Sequence, residues 1–273
     1  GRDGTSVYDA WRARAASGPP RRPGEGAGRS AAPAAAPDEP VVGMPGGGSD
    51  HEGFLLHLGV PAVGCGFYGR WGNYHSTYDT LHFLETQADP AAERQRAAAT
   101  VTAALALRLA NAPVAPLDYV EYARAVTAAA QAARAQAGAV EALAAVSFDE
   151  LAAAVAAFAT AADAATRQVA ATDWDAAPEE AQRRLHAALR SIEPLLTRPA
   201  DAAPDPLADP FHRNLVFGVN PLSGYAGWTL PGVTGAIARP DPERLARELG
   251  LLAQQLRRAT ARLTDTAGPA APR

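Results

Sequence analysis

The stretch "GNYHSTYDT", residues 72–80, places His75 in a loop rich in aromatic and polar side chains. A neutral imidazole is one of the side chains that bind zinc. A zinc site usually gathers three or four such ligands, however, and the sequence around His75 shows no cluster of that kind. Residue type and spacing alone therefore leave His75 open between a metal ligand and a polar loop residue, and they favour the second.

The other five histidines do not show the spacing of a metal site. His51 and His57 are six residues apart in "HEGFLLHLG", so they lie on different faces of a helix and cannot share an ion as an i, i+4 pair can. The remaining three, His82, His186 and His212, have no acidic cluster nearby. No nucleophile elbow, phosphate loop or dinucleotide fingerprint is found either, so these patterns alone define no catalytic class.

Composition narrows the class of protein. The chain has 273 residues, of which 48% are hydrophobic and 20% charged, as in globular proteins. Its net charge of -4 argues against a general nucleic-acid surface. No stretch approaches the roughly 20 continuous apolar residues of a membrane span. A single cysteine, Cys65, excludes a disulfide framework and a cysteine-based zinc site, and its apolar context predicts a small buried residue.

The elements that would position His75 can be predicted from the flanking sequence. Ser49 or Asp50 caps a predicted helix that ends at Gly59. The apolar run "VPAVGCGF", residues 60–67, predicts a buried strand in a sheet covered on both faces. The loop that carries His75 follows this strand, where open α/β sheets place their sites.

Further helices flank this region on both sides. Residues 5–15 predict a short helix, and residues 16–40, rich in proline, glycine and alanine, predict a flexible loop. Residues 89–112 predict a helix with Asp89 at its cap and Pro90 in its first turn.

The second half of the chain has a different character. Residues 117–198 are rich in alanine and predict helices throughout, one of which begins with a capping box of Ser147 and Glu150. The last helix starts at Asp241 and Pro242 and carries a heptad seam at positions 245, 249, 252, 256, 259 and 263. This seam fits an internal helix contact and a subunit interface equally well. The fold class expected is an α/β fragment, residues 1–115, followed by an all-α domain, residues 116–265.

A resemblance to a known family extends these observations. The ordered pieces "SVYDAW", "GMP", "GSD", "LGVP" and "YHSTYDT" resemble the second half of the catalytic domain of the M28 zinc peptidases. The branch most similar contains glutamate carboxypeptidase II and the transferrin receptor. In the second half, "FHRNLVFGVNPLSGYAGWTLPGV" resembles the arm before the last helix of the transferrin receptor-like dimerisation domain. With the loop set aside, the resemblance covers nearly the whole chain.

The resemblance implies roles for particular residues. His75 matches a zinc ligand, and such enzymes use two zinc ions with a bridging water as nucleophile. The other ligands and the general base of the family lie upstream of the "SVYDAW" segment, so this chain would hold only one ligand. The expectation is a C-terminal fragment that is inactive by itself.

Other matched positions concern the substrate. Tyr74 matches a tyrosine that hydrogen-bonds the developing oxyanion, and Tyr225 matches one that holds the free carboxylate of the substrate. The alternative for both is aromatic packing with the hydroxyl bonded elsewhere. Ser49 and Asp50 match a turn that lines the cleft. Asp79 fits either a group that orients His75 or a residue that caps the turn.

Two departures bear on specificity. Gly224 replaces the lysine of the glutamate-specific members, and Gly64 and Gly66 lie about where these members have an arginine pair. A carboxylate side chain of the substrate would then lack a cationic partner. A broader exopeptidase is therefore expected, rather than one selective for acidic dipeptides.

The leading interpretation is a C-terminal portion of a di-zinc exopeptidase that acts on a peptide substrate and forms a homodimer through its helical domain. The alternatives are a non-catalytic receptor-like homologue and a free-standing dimerisation module. The resemblance favours an extracytoplasmic protein, while the sequence itself leaves the compartment open.

Overall fold

The computed structural model describes residues 4–16, 47–66, 72–203, 211–220 and 224–266. The helices of the first half are α1 (Val7–Ala16), a π-helix (Gly53–Leu58), α2 (Leu81–Phe83) continued by a second π-helix (Leu84–Ala88), and α3 (Glu93–Asn111). Those of the second half are α4 (Tyr119–Gly138), a 3-10 turn (Glu141–Leu143), α5 (Asp149–Ala171), α6 (Glu179–Arg190), α7 (Ile192–Leu195), α8 (Pro231–Ala238) and α9 (Pro242–Thr266).

The leucine seam of α9 forms the centre of the core. All six seam residues are buried: Leu245, Leu249, Leu252, Leu256, Ala259 and Leu263. They pack mainly against α5, whose buried face includes Leu151, Val155 and Phe158. Of the two possibilities left open by the sequence, the seam is therefore an internal helix contact.

The two long helices are also joined at their surface. Arg257 donates to the Glu150 carboxylate at 2.7 Å. The predicted capping box is replaced by a simpler cap: the Ser147 hydroxyl accepts from the Asp149 N–H at 3.1 Å, and the Glu150 carboxylate pairs with α9. The predicted start of α9 is confirmed, since the Asp241 carboxylate accepts from the Arg244 N–H at 2.9 Å.

A small antiparallel hairpin precedes α8. Strands β1 (Phe217–Val219) and β2 (Gly227–Thr229) pair with Phe217 opposite Thr229 and Val219 opposite Gly227. The sequence analysis identified this stretch only by its resemblance to the arm before the last helix. Described residues are thus mostly helical with one two-stranded sheet, in agreement with a helical domain in the second half.

The strand predicted for residues 60–67 is wrong over the described residues 60–66, which form no strand and are exposed. A strand exists only where a neighbour pairs with it, and the described part of the chain provides none for this segment. Cys65 is accordingly exposed rather than buried, with its Sγ 3.3 Å from the Thr102 Oγ1. The predicted flexible loop, apart from Ala16 in α1, lies outside the described residues.

Asp89 caps α3 from a distance. The helix begins at Glu93, and the Asp89 carboxylate accepts from the N–H groups of Glu93, Arg94 and Gln95, each at 3.0 Å. Burial raises the pKa of this carboxyl group, but the three backbone donors and the Arg94 charge together outweigh it, so the net pKa is lowered. The predicted capping residue is confirmed, although it acts four residues before the first helical residue.

Residues 47–59, named the docking segment below, pack on the helical half of the chain. Leu55 and Leu56 are buried in the same core cluster as the seam of α9. The π-helix ends at Gly59 in a left-handed conformation (φ 67°), as predicted, but its N-cap is Glu52 and no side chain caps it. The described helices include none long and apolar enough to cross a membrane.

Candidate functional site

The turn that carries His75 is held by its neighbours. The Asn73 carbonyl accepts from both the N–H and the hydroxyl of Ser76, at 3.0 and 2.7 Å. The Ser76 hydroxyl oxygen also accepts from the Tyr78 N–H at 3.2 Å, and the Asn73 side-chain amide donates to the Tyr78 carbonyl at 3.3 Å. Four hydrogen bonds among Asn73, Ser76 and Tyr78 thus fix the chain on both sides of the histidine.

His75 itself adopts the left-handed backbone conformation, with φ 58°. Histidine is one of the few residues other than glycine that enter this region with some frequency, and residues there cluster at functional sites. Its ring is exposed and stacks on Tyr74, with ring centroids 3.9 Å apart and 19° between the planes. The turn therefore presents an ordered imidazole to the surface.

The two residues predicted to assist His75 are also exposed. Tyr74 is 62% exposed, so its phenol is in water rather than in the buried setting that strengthens oxyanion binding. Asp79 donates its backbone N–H to the Ser76 carbonyl at 3.1 Å, and none of the described hydrogen bonds joins its carboxylate to His75. Their roles stay predictions. Thr80 accepts from the Phe83 N–H at 3.2 Å and so caps α2.

The residues predicted to bind substrate gather at a second place. The Gly47 N–H donates to the Tyr225 carbonyl at 3.2 Å. Gly48 has φ 88°, and a Cβ on it would collide with the Tyr225 ring. Ser49 and Asp50 follow directly and are exposed. The turn predicted from the first half and the tyrosine predicted from the second half are thus in contact.

Gly224 completes this second cluster. It adopts φ 67°, is exposed, and has open space where a side chain would project. No cationic side chain therefore projects from this position beside Tyr225. The ring contact of His75 is with Tyr74, inside its own turn, and the Ser49–Asp50 turn with Gly224 and Tyr225 is described as a second group of candidate residues.

The docking segment is anchored by contacts that the sequence did not indicate. The Leu56 carbonyl accepts from the N–H groups of Arg213 and Asn214, at 2.6 and 2.8 Å. His57 stacks on Phe211 with centroids 4.7 Å apart, and its Nδ1 lies 2.6 Å from the Phe211 carbonyl oxygen. These pairings join positions far apart in the chain, which no local pattern reveals.

A buried carboxyl group lies beneath this contact. Glu193 is 6% exposed, and its burial raises the pKa of its carboxyl group. The side chains of Asn214 and Tyr122 lower this pKa by less than burial raises it, so the net pKa is about 7. Burial also raises the pKa of Tyr122 and of Tyr119, with the charge of Glu193 adding to the rise.

The residues present do not fit the two zinc ions that the resemblance implies. Among the described residues, no group of three or more histidine, cysteine, aspartate or glutamate side chains could hold a metal ion. The described part of the chain therefore holds no complete metal site.

The class of the helical half follows from a family comparison. Residues 146–264 match the transferrin receptor-like dimerisation domain. This stretch runs from just before α5 nearly to the end of α9 and includes the hairpin, between whose strands Gly224 and Tyr225 lie. Residues 146–264 are thus similar to a domain of this type.

Individual relatives are peptidases by name. A probable glutamate carboxypeptidase of Arabidopsis thaliana is 42% identical over 78 residues, which are 29% of this chain and 12% of the relative. One of Zea mays is 40% identical over 74 residues, 27% of this chain and 10% of the relative. One of Arthroderma benhamiae is 31% identical over 133 residues, 46% of this chain and 15% of the relative.

Together these matches show that the chain resembles the C-terminal part of transferrin receptor-like peptidases, as its motifs predicted. The matched stretches span only 10% to 15% of these relatives. The activity of a whole protein of this kind is therefore a matter for proposal.

Proposed function

We propose that this chain is the C-terminal portion of a di-zinc exopeptidase of the M28 family, which hydrolyses peptide bonds near chain ends. His75 supplies one zinc ligand in this proposal, and the remaining ligands and the general base come from residues that this chain lacks. The portion is inactive by itself.

The observation that supports this proposal most is the His75 turn. An exposed histidine in a left-handed conformation, in a turn fixed by Asn73 and Ser76, fits a ligand whose partners lie elsewhere. Holding a residue other than glycine in this conformation costs free energy, and such residues cluster at functional sites, which supports a functional role for the turn.

The second group of residues supports the substrate class. Tyr225 is 59% exposed beside the Ser49–Asp50 turn, where it could receive the terminal carboxylate of a peptide. Gly224 offers no cation for a second carboxylate, so the enzyme would accept a range of side chains.

The test compares this chain with a version extended upstream by about one domain, taken as ~150 residues. Zinc content and hydrolysis of short peptides are measured on both. We expect zinc and activity only in the extended form, and loss of both in His75→Ala. His82→Ala, which removes another exposed histidine from the next element, is the matched control and should change neither.

Absence of zinc from the extended form would contradict the proposal and favour a receptor-like homologue without catalysis. Zinc bound by the 273-residue chain alone would contradict the assignment of the other ligands to upstream residues.

We also propose a homodimer, supported by the family of the helical domain. Since the seam of α9 is occupied by α5, the interface must use another surface. Sedimentation of the chain over a hundredfold concentration range should show dimer. A monomer throughout would contradict this proposal.

A further inference from the structure

Glu52 lies between the glycine turn and the helical half of the chain. Its Oε1 accepts a short hydrogen bond from the Gly48 N–H, and its Oε2 lies 3.5 Å from Nε2 of His212. The two side chains are only 25% and 21% exposed. One carboxylate thus connects the turn that precedes Ser49 with the arm that precedes Tyr225.

His212 is fixed from its other side. Its ring meets the edge of Phe211, with centroids 5.7 Å apart and 65° between the planes. Phe211 is itself stacked on His57. The partner of Glu52 therefore belongs to a packed set of rings and does not swing freely at the surface.

The glycine turn has little room to adjust. A Cβ on Gly47 would lie 2.6 and 2.7 Å from the two methyl carbons of Val219 and 3.0 Å from Oε1 of Glu52. The ring of Tyr225 occupies the corresponding space at Gly48. Small displacements of Glu52 would thus move the turn relative to Tyr225.

We propose that Glu52 and His212 are positioning residues for the candidate substrate-binding group, holding the Ser49–Asp50 turn at its distance from Tyr225. This inference rests on the proposed function for the identity of the ligand, the terminal carboxylate of a peptide. The pair acts through the Gly48 amide and does not itself touch the ligand.

The first measurement follows the Gly48 amide proton by NMR in the 273-residue chain. Glu52→Ala should speed its exchange by at least about tenfold, since the lost hydrogen bond is to a charged acceptor. Glu52→Gln keeps an oxygen acceptor and should restore part of the protection. His212→Ala should speed exchange too, and the double variant should exchange no faster than Glu52→Ala because the two residues act as one unit.

Glu179→Gln, which alters an exposed ion pair on α6, is the matched control and should leave Gly48 unchanged. Unchanged Gly48 exchange in Glu52→Ala would overturn the proposal. Additive effects of the two single variants would overturn the pairing.

The second measurement uses the extended form, if it proves active. Glu52→Ala and His212→Ala should raise KM by about tenfold with kcat within about twofold, because they disturb binding rather than chemistry. A fall in kcat at constant KM would overturn the positioning role. If the extended form has no peptidase activity, the proposed function fails, while the Gly48 measurement still decides whether the pair holds the turn.

Discussion

The side-chain amide of Asn214 donates to the carbonyl of Leu55 at 3.3 Å, across a separation of 159 residues. Its Oδ1 accepts from the N–H groups of Val216 and Phe217, both at 2.9 Å. Asn214 is only 2% exposed, so water cannot replace its side chain as the hydrogen-bond partner of these backbone groups. One amide therefore joins the docking segment to the first strand of the hairpin.

Replacement of Asn214 by alanine should destabilise the chain by about 3 kcal/mol, since it leaves buried donors and an acceptor unsatisfied. Chemical denaturation measures this loss. Asn111→Ala is the control, because that amide also donates to a carbonyl, of Leu107 at 2.8 Å, but is exposed. Its cost should stay below about 1 kcal/mol. Equal costs for the two variants would contradict the role given to Asn214.

Glu193 should make stability fall as pH rises. Its pKa is about 7 in the folded chain against 4.5 as the reference value, so the folded state retains a proton that the unfolded state loses between these values. Stability contributed by the protonated form is full below about pH 4.5 and lost as pH approaches and passes 7. Glu193→Gln should therefore be more stable than the parent at pH 8, by about 2–3 kcal/mol.

The same two proteins should differ little at pH 4, where the parent carboxyl group is protonated in both states. Urea denaturation at several pH values gives the comparison, with Glu179→Gln as an exposed control. Identical pH dependence in the parent and Glu193→Gln would show that this carboxyl group does not carry the effect.

Gly59 should tolerate no side chain. It combines a φ of 67° with close approach to Pro194, whose Cα would lie 2.7 Å from a new Cβ. Gly59→Ala should cost more than about 2 kcal/mol, because the backbone strain alone is about 1–2 kcal/mol. Gly224→Ala has the same φ and open space, and should show the strain without the collision. Thermal unfolding is the measurement, and equal melting temperatures of the two variants would contradict the prediction.

The ion pair of Arg198 and Glu248 should matter far more than those at the surface. The two groups lie 2.6 Å apart with side chains 13% and 8% exposed, and Glu248 fills the space beside Gly232. Arg198→Ala should destabilise by about 3 kcal/mol, since it leaves a buried charge without its partner. Arg183→Ala, which breaks an exposed pair with Glu180, should change stability far less, because water screens an exposed ion pair. Similar losses of unfolding free energy in both variants would show that burial does not increase the contribution of the Arg198–Glu248 pair to stability.

Local signals in the sequence predicted what depends on local structure. The periodicity of α9, the end of the π-helix at Gly59 and the capping role of Asp89 each follow from a few adjacent residues. They are correct because helix packing faces, left-handed ends and caps are set within one or two turns.

Long-range relationships were not predictable in this way. The strand expected at residues 60–67 depends on neighbouring strands, and an apolar run cannot specify whether they are present. The roles of Asn214, Glu193 and His212 depend on segments distant in sequence that fold against them. The residues next to them in sequence do not indicate these contacts. For the site, the motif resemblance indicated Ser49 and Tyr225, while Glu52 became visible only through its contacts.

The attachment of Leu55 to Asn214 also bears on how the chain folds as it is made. At synthesis rates of about 5–20 residues per second, the residues between them need roughly 10–30 s to emerge. During that interval Leu55 and Leu56 remain without the core that later buries them. Contacts of such large sequence separation also slow folding, because loop-closure entropy must be lost first. The docking segment should thus stay exposed until the second half of the chain has folded, and during that period its leucines make the nascent chain prone to aggregate.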